Sequence, residues 1–220
     1  MRCAVSLAER QERDLACPIE FMRLTLTYDG PLPAANAKNP RRAEKNDIRR
    51  YIQPQIKEAL QAHPALDNGE RFKLWTDLEP SEQYSDHPNR FFVAYKIGSY
   101  GFLPLITRKH HMVCELDILF LRREQPGALV HDGDLDNRLK VLFDGLRMPL
   151  NNDELEGLRD EPEPFCCLLA DDSLITAVNV RTEQWYQPPA PDTSPSNVRL
   201  VIDVLIRVTR VTYANIGLGG

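Results

Sequence analysis

Several absences narrow the reading of this 220-residue chain before any motif is considered. There is no run of about eighteen apolar residues, so no segment reads as a membrane-spanning helix. The N-terminus, MRCAVSLAERQERDLACPIEF, carries charges where an export signal needs an apolar stretch. Cysteine is scarce: Cys3, Cys17, Cys114, Cys166 and Cys167 make no CxxC pair, and an odd count with two adjacent members does not suit a disulfide framework. A reducing cytoplasm is the expected setting. His110 and His111 stand together without an HExxH companion, which leaves zinc without a ligand set. Positive charge is not in excess. The formal net charge is -5, which argues against a protein that coats nucleic acid nonspecifically through many phosphate contacts.

What remains is an ordinary globular composition, 42% hydrophobic and 27% charged, long enough to bury a real core. MRLTLTY (Met22–Tyr28) alternates apolar and polar and is closed by GPLP, a strand followed by a turn. From Asn46 to His63, Ile48, Tyr51, Ile52, Ile56, Ala59 and Leu60 recur at helical spacing. Asn46 or Asp47 would cap that helix, and Pro54 should kink or split it. Residues 64–110 show only short apolar runs, at Phe72–Trp75 and Phe91–Ile97. MVCELDILFL (Met112–Leu121) is a strand whose buried face should be Cys114, Leu116, Ile118 and Phe120. Leu139, Leu142, Phe143 and Leu146 form one apolar helical stripe. Residues 147–170 read as a long connection. Two more strands, Ser173–Tyr186 and Val198–Val208, flank the Pro-rich QPPAPDTSPS loop. The order predicts a single α/β (α+β) domain, a mixed β-sheet with helices packed on it.

The chemistry-bearing residues are carboxylates. GDLDNRLKVLFDGL places Asp134 and Asp136 at the mouth of the apolar helix, with Lys140 one turn beyond Asp136, and LADDSLI offers Asp171 and Asp172 before the next strand. One reading is structural: Asp136 or Asn137 caps the helix, whose N-terminus favours negative charge, and Lys140 pairs with its neighbours. The other is a bound cation. Capping needs one oxygen, whereas Asp132, Asp134, Asp136 and Asn137 crowd into six residues. Hard divalent ions take oxygen ligands, and Mg²⁺ keeps waters beside a few carboxylates. A calcium loop does not fit, because Asn137 stands where the glycine is required and Phe143 where the glutamate is required. A carboxylate-bound Mg²⁺ beside a lysine suits phosphodiester hydrolysis. In that scheme Asp134, Asp136 and Asp172 hold the ion and Lys140 works beside it. A separate run, KNPRRAEKNDIRR, sets Lys38, Arg41, Arg42, Lys45, Arg49 and Arg50 against only Glu44 and Asp47. It is either a solvated face or a phosphate-binding surface. The pairs Arg108-Lys109 and Arg122-Arg123 are further candidates of the same kind.

Taken together, Asp134-Leu135-Asp136-Asn137, Lys140, Phe143-Asp144 and Asp171-Asp172 resemble the RusA family of Holliday junction endodeoxyribonucleases. The resemblance spans residues 22–208, with its specificity in the motif region, and leaves 1–21 as an N-terminal extension and 209–220 as a tail. It implies a homodimer that cuts four-way DNA junctions with Mg²⁺ or Mn²⁺. It makes Asp134, Asp136 and Asp172 the metal-site aspartates and Lys140 the catalytic lysine. A C2 dimer would present two copies of one site to the two strands that are cut. For this to hold, the long link between Leu146 and Asp171 must fold back so that Asp172 reaches the first acidic pair. Two other functions fit the same residues: a catalytically weak junction- or DNA-binding accessory protein, and a metal-dependent nuclease for flap DNA or RNA. The ion acts on the phosphate and carries no base information.

Overall fold

Period-two alternation builds the larger of two sheets, and short all-apolar runs build the smaller. The computed structural model describes residues 19–35, 40–84, 90–123, 134–158, 163–186, 196–212 and 215. In chain order its elements are β1 (Ile19–Pro31), α1 (Arg42–Ala62), α2 (Glu70–Thr76), α3 (Pro80–Gln83), β2 (Tyr95–Ile97), β3 (Tyr100–Ile106), β4 (Met112–Arg122), α4 (Asp134–Leu146), β5 (Phe165–Leu169), β6 (Ile175–Gln184) and β7 (Asn197–Val208). The expected mixed α+β architecture is present as one domain, with helices packed on sheet. Its strands divide between a four-stranded sheet, ordered β1-β7-β4-β6, and a three-stranded one, ordered β2-β3-β5. No helix among the described residues is long and apolar enough to cross a membrane.

The larger sheet follows the sequence pattern closely. Cys114, Leu116, Ile118 and Phe120 of β4 are buried as the alternation predicts, and β7 buries Val198, Leu200, Ile202, Val204, Ile206 and Val208 beside them. Strands β1, β7 and β4 pair antiparallel, while β4 and β6 run parallel. A parallel pair needs a crossover, and α4 lies within it. The inner face of the sheet packs on α1 and α4 through Ile48, Ile52, Ile56, Leu142 and Leu146 in one continuous core.

The helix over the basic run starts earlier than expected and is not split by its proline. It begins at Arg42, not Asn46, with Arg41 in the left-handed region (φ 57°) as the residue before it. Asn46 is interior because its side chain has another task, described below. Pro54 lies inside α1, which continues as one assigned helix from Arg42 to Ala62. Along its length α1 also seals the free edge of β1. The Gln55 amide accepts from Thr27 N–H (2.9 Å) and donates to Thr27 C=O (2.8 Å), as a neighbouring strand would. A little over two turns further on, a ring nitrogen of His63 lies 2.9 Å from the Arg23 carbonyl. An edge covered in this way cannot template another strand.

Residues 64–110 and 147–170, read from sequence as indistinct, supply the smaller sheet. Every residue of β3 (YGFLPLI) and β5 (FCCLL) is buried. These strands pair in parallel and have cover on both faces, which is why they show no alternation. Leu103, Leu105, Cys166 and Leu168 face the main core, whereas Phe102, Phe165 and Cys167 join Tyr100, Met148, Leu155 and Leu158 in a second cluster. The link after α4 is thus a lid on the outer face of β3 and β5. It ends where it started: Arg147 forms a parallel bridge with Leu169, and Met148 N–H donates to Leu169 C=O at 2.9 Å.

Gly145 allows the close crossing of α4 and α1. A Cβ at this position would meet Ile48 Cγ2 at 2.7 Å and Ile48 Cβ at 2.8 Å. The helix would gain about 1 kcal/mol in propensity from alanine, but Ile48 Cβ is rigidly attached to the α1 backbone, and overpacking costs about 1–3 kcal/mol. The clash should win. Gly145→Ala is expected to lower the urea midpoint at an unchanged m-value, a net loss of about 1 kcal/mol; equal or greater stability would show that the two helices can separate freely.

Candidate functional site

Helix α4 exists because its apolar stripe is covered. Val141, Leu142 and Leu146 are buried, and Leu135, Leu139 and Phe143 pack against the same core at partial exposure. That leaves the opposite side to water and to the charged residues. Asp134 opens the helix, and its side chain lies outside the described part of the structure. Asp136 and Lys140 form an i,i+4 ion pair of 2.7 Å, with side chains 71% and 62% exposed. A pair so exposed contributes only a few tenths of a kcal/mol, about 0.3–0.5, to the helix. Its carboxylate and ammonium are open to any larger ligand.

The second acidic pair sits on the 3-10 turn Asp172–Leu174. Its two members differ. The Asp171 carboxylate accepts from Ser173 N–H at 2.9 Å and caps the turn. Hydrogen bonds from the Ser173 hydroxyl and N–H, helped by the charges of Arg108 and Arg147, hold Asp171 below the usual carboxylate range. Asp172 is exposed, and its carboxylate makes no hydrogen bond or ion pair among the described residues. The turn packs against α4, and Leu174 is buried in the core shared with Leu142 and Leu146. The long link therefore returns to α4, and Asp172 is three positions beyond the closing bridge at Leu169. The bridge lies at the C-terminal end of α4, eleven residues after Asp136, or about 16 Å along the axis. Among the described residues, no group of three or more His, Cys, Asp or Glu stands close enough to hold a metal ion, and the Asp134 side chain is not among them.

The basic run resolves into two kinds of residue. Lys38 lies outside the described residues. Arg41 donates to the Ala34 carbonyl (3.0 Å) and to Glu44 (3.1 Å), Arg42 lies 3.7 Å from Asp153, and Arg50 donates to Asp47 at 3.2 Å. These three reach the surface. Arg49, expected among the DNA-contacting residues, is instead buried. Its side chain is 1% exposed, and it donates to the Arg147 and Asp144 carbonyls, to Asn46 and to Glu154. Lys45 is likewise turned inward onto Asp144 at 2.7 Å, with 13% of its side chain exposed. A phosphate could recruit either one only by breaking these bonds.

Around Arg49 lies the most developed polar cluster among the described residues, and no residue spacing announces it. Glu154 receives Arg49 (2.9 Å) and Arg147 (3.0 Å), Asp144 receives Arg147 (2.6 Å) and Lys45, and Asn46 donates to the Glu154 and Glu156 carbonyls. Its members come from α1, the end of α4 and the link. The only hint in the sequence is that Asn46 and Arg49 fall on the same side of α1 as Ile48, Ile52 and Ile56. Burial alone would raise Glu154, but hydrogen bonds and charge from Arg147 and then Arg49 outweigh it and hold the carboxyl below its ordinary 4.5. Burial would raise Asp144 as well, yet Lys45 and Arg147 hold it below 3.8. Arg49 is lowered, chiefly by its own burial, against the pull of Glu154. His110 is also structural. It is buried between the Thr107 hydroxyl (2.9 Å) and the Arg90 carbonyl (2.7 Å), and burial lowers its affinity for a proton.

On the other face of the larger sheet, a groove of about 580 Å³ is lined by Arg23, Thr25, Asp117, Asn179 and Asp203. It does not include the α4 carboxylates. Asp203 accepts from Thr25 and Asp117 from Asn179, so each carboxylate is served within the sheet. No protein-family model matches this chain, and neither a curated protein nor a solved structure matches it.

Glu154→Gln removes the charge that two buried arginines share. Leaving buried cations uncompensated costs about 3–5 kcal/mol, and the partial exposure of Glu154 points to the lower end, about 3 kcal/mol at pH 7. The two depressed carboxyls contribute in full above their ordinary values of 4.5 and 3.8, and the contribution is lost as pH falls through the lower folded values. The stability gap between wild type and Glu154→Gln, measured by urea unfolding, is therefore expected to shrink between pH 5 and about pH 3. A gap that stays constant across that range would show that Glu154 carries no charge in the fold.

Proposed function

We propose that this chain is a metal-dependent endonuclease that hydrolyses phosphodiesters in branched DNA, with the four-way junction as its substrate. One observation carries the reading. The helix bearing Asp134, Asp136 and Lys140 and the turn bearing Asp172 pack against each other, although some 36 residues separate them in the chain. The motif resemblance needs Asp172 to come near the first acidic pair, and the contact of its turn with α4 supports that reading.

Asp136 and Asp172, together with Asp134, are the residues that would hold Mg²⁺ or Mn²⁺. The donor set fits a hard divalent ion: the Asp136 and Asp172 carboxylates are exposed, with room for retained waters. Such an ion, when bound, supplies neutralisation of the scissile phosphate and a lowered pKa for its water. Lys140 offsets the charge of Asp136 until a phosphate arrives, and its exposed ammonium can then turn to the developing negative charge. Asp171 keeps the turn in shape through Ser173 and leaves Asp172 to face outward. Arg41, Arg42 and Arg50 are the cations of the basic run that reach the surface, where a flanking phosphate would compete with Glu44, Asp153 and Asp47 for them; Lys45 and Arg49 are committed to the fold. Two copies related by a twofold axis would address the two strands of a junction. Cys114, Cys166 and Cys167 are free and buried, in keeping with work in a reducing cytoplasm.

A second reading, a junction-binding accessory protein without turnover, is favoured by the Asp136–Lys140 pair, which is also an ordinary helix-surface ion pair. Incubation of a synthetic four-way junction with Mg²⁺ or Mn²⁺ separates the two. Paired nicks are expected, abolished by EDTA, and slowed at least about a hundredfold in Asp136→Asn and Asp172→Asn while junction binding persists. Undiminished cutting in both variants would reassign the site; binding with no metal-stimulated cutting by the wild type would select the accessory protein.

A further inference from the structure

We propose that Trp185 and Tyr186, with Arg123 and Arg199, form a stacking platform for an unpaired stretch of a DNA strand at the end of the larger sheet. The proposal rests on the endonuclease reading for its choice of DNA as the polymer. It uses no residue of the acidic site.

The platform is built from three strands. Trp185 continues β6 by one residue and is anchored by its N–H to the Arg122 carbonyl at 2.6 Å. Its indole, half-buried, lies against two guanidinium groups: Arg199 of β7 at 4.8 Å from ring to carbon and Arg123, just beyond β4, at 5.7 Å. Asp29 of β1 grips Arg199 through Nε at 3.0 Å and through Nη2, which fixes the guanidinium under the ring. Tyr186 follows at 86% exposure, the highest among the large hydrophobic side chains described. Arg181 stands exposed further along β6. Nothing in folding requires this arrangement. A tyrosine left in water forgoes the gain of burial, and Arg123 sets a positive charge beside the indole with no ion pair among the described residues, whereas the charge of Arg199 is met by Asp29.

Those features match one kind of partner. Bases stack on aromatic rings whatever their sequence, and arginines beside the rings meet the phosphates between them. A proline-rich peptide would use the rings and leave Arg123 without an anion. Duplex DNA would use the arginines and hide its base faces. An unpaired strand uses both, and a branch point is where unpaired bases are most easily exposed.

The chain has two tryptophans, and Trp75 is buried at 4% exposure, so Trp75 gives a constant background and a change in intrinsic fluorescence on binding reports Trp185. Titration of the full chain with a short oligodeoxythymidine is expected to quench the emission, with an affinity that falls as salt rises. Measured by anisotropy of a labelled oligonucleotide, Trp185→Ala should weaken binding about tenfold or more and Tyr186→Ala several-fold, while Trp185→Phe should keep the affinity and abolish the quench. Arg123→Ala should reduce the salt dependence by about one phosphate contact. Tyr186 is too exposed for its replacement to unfold the chain, so the test survives a poorly folded Trp185 variant. Affinity unchanged within twofold in Tyr186→Ala and Trp185→Phe, with no quench in the wild type, overturns the platform, as does a quench by a proline-rich peptide with none by the oligonucleotide. A chain that quenches and binds but never nicks a junction supports the platform and fails the endonuclease reading alone.

Discussion

The Arg49 guanidinium is the point from which the rest of the structure is held. It sits at the meeting of α1, the end of α4 and the link that follows, and it satisfies carbonyls or carboxylates from all three. A buried cation is costly unless each donor is matched, and the matching groups are what bring the link down onto β3 and β5. Without that closure the smaller sheet would expose Phe102 and Phe165, and the chain would not return from its excursion to the end of α4. The placement of Asp172 beside α4 therefore depends on a residue that touches neither acidic pair.

This dependence separates two roles that look alike in sequence. Lys45, Arg49 and Arg50 stand within six positions on one helix, and all are basic. Helical phase decides between them: Arg49 falls in line with Ile52 and Ile56 and goes inward, while Arg50 lies a hundred degrees away and reaches water. The same applies to carboxylates. Asp144, read as part of the α4 motif, serves Lys45 and Arg147 in the interior, whereas Asp136, two turns earlier, faces solvent with Lys140.

Much of the fold was legible because alternation and helical spacing report burial on one side. Strands β4 and β7 and the stripe of α4 were readable on those grounds, down to Cys114, Leu116, Ile118 and Phe120. Strands β3 and β5 escaped because both of their faces are covered, so YGFLPLI and FCCLL carry no period; their length and unbroken apolar character were the available signal. Asn46 misled as a cap since its side chain reaches Glu154 and Glu156, more than a hundred positions away, and no local rule contains such a partner. In the candidate site, the acidic residues could be named from the motif. The division of labour between Asp171 and Asp172 could not, because it rests on the geometry of one 3-10 turn.

The amide of Gln55 has a consequence for how this domain meets other chains. By posing as the missing neighbour of β1, it and His63 shut one margin of the larger sheet, which leaves β6 as the margin with a partner on a single side among the described strands. Any polypeptide that lengthens this sheet must enter there, alongside a strand running parallel to β4 and ending at Trp185. Assembly through backbone pairing thus has a fixed address, set by a glutamine and a histidine on the far side of the molecule.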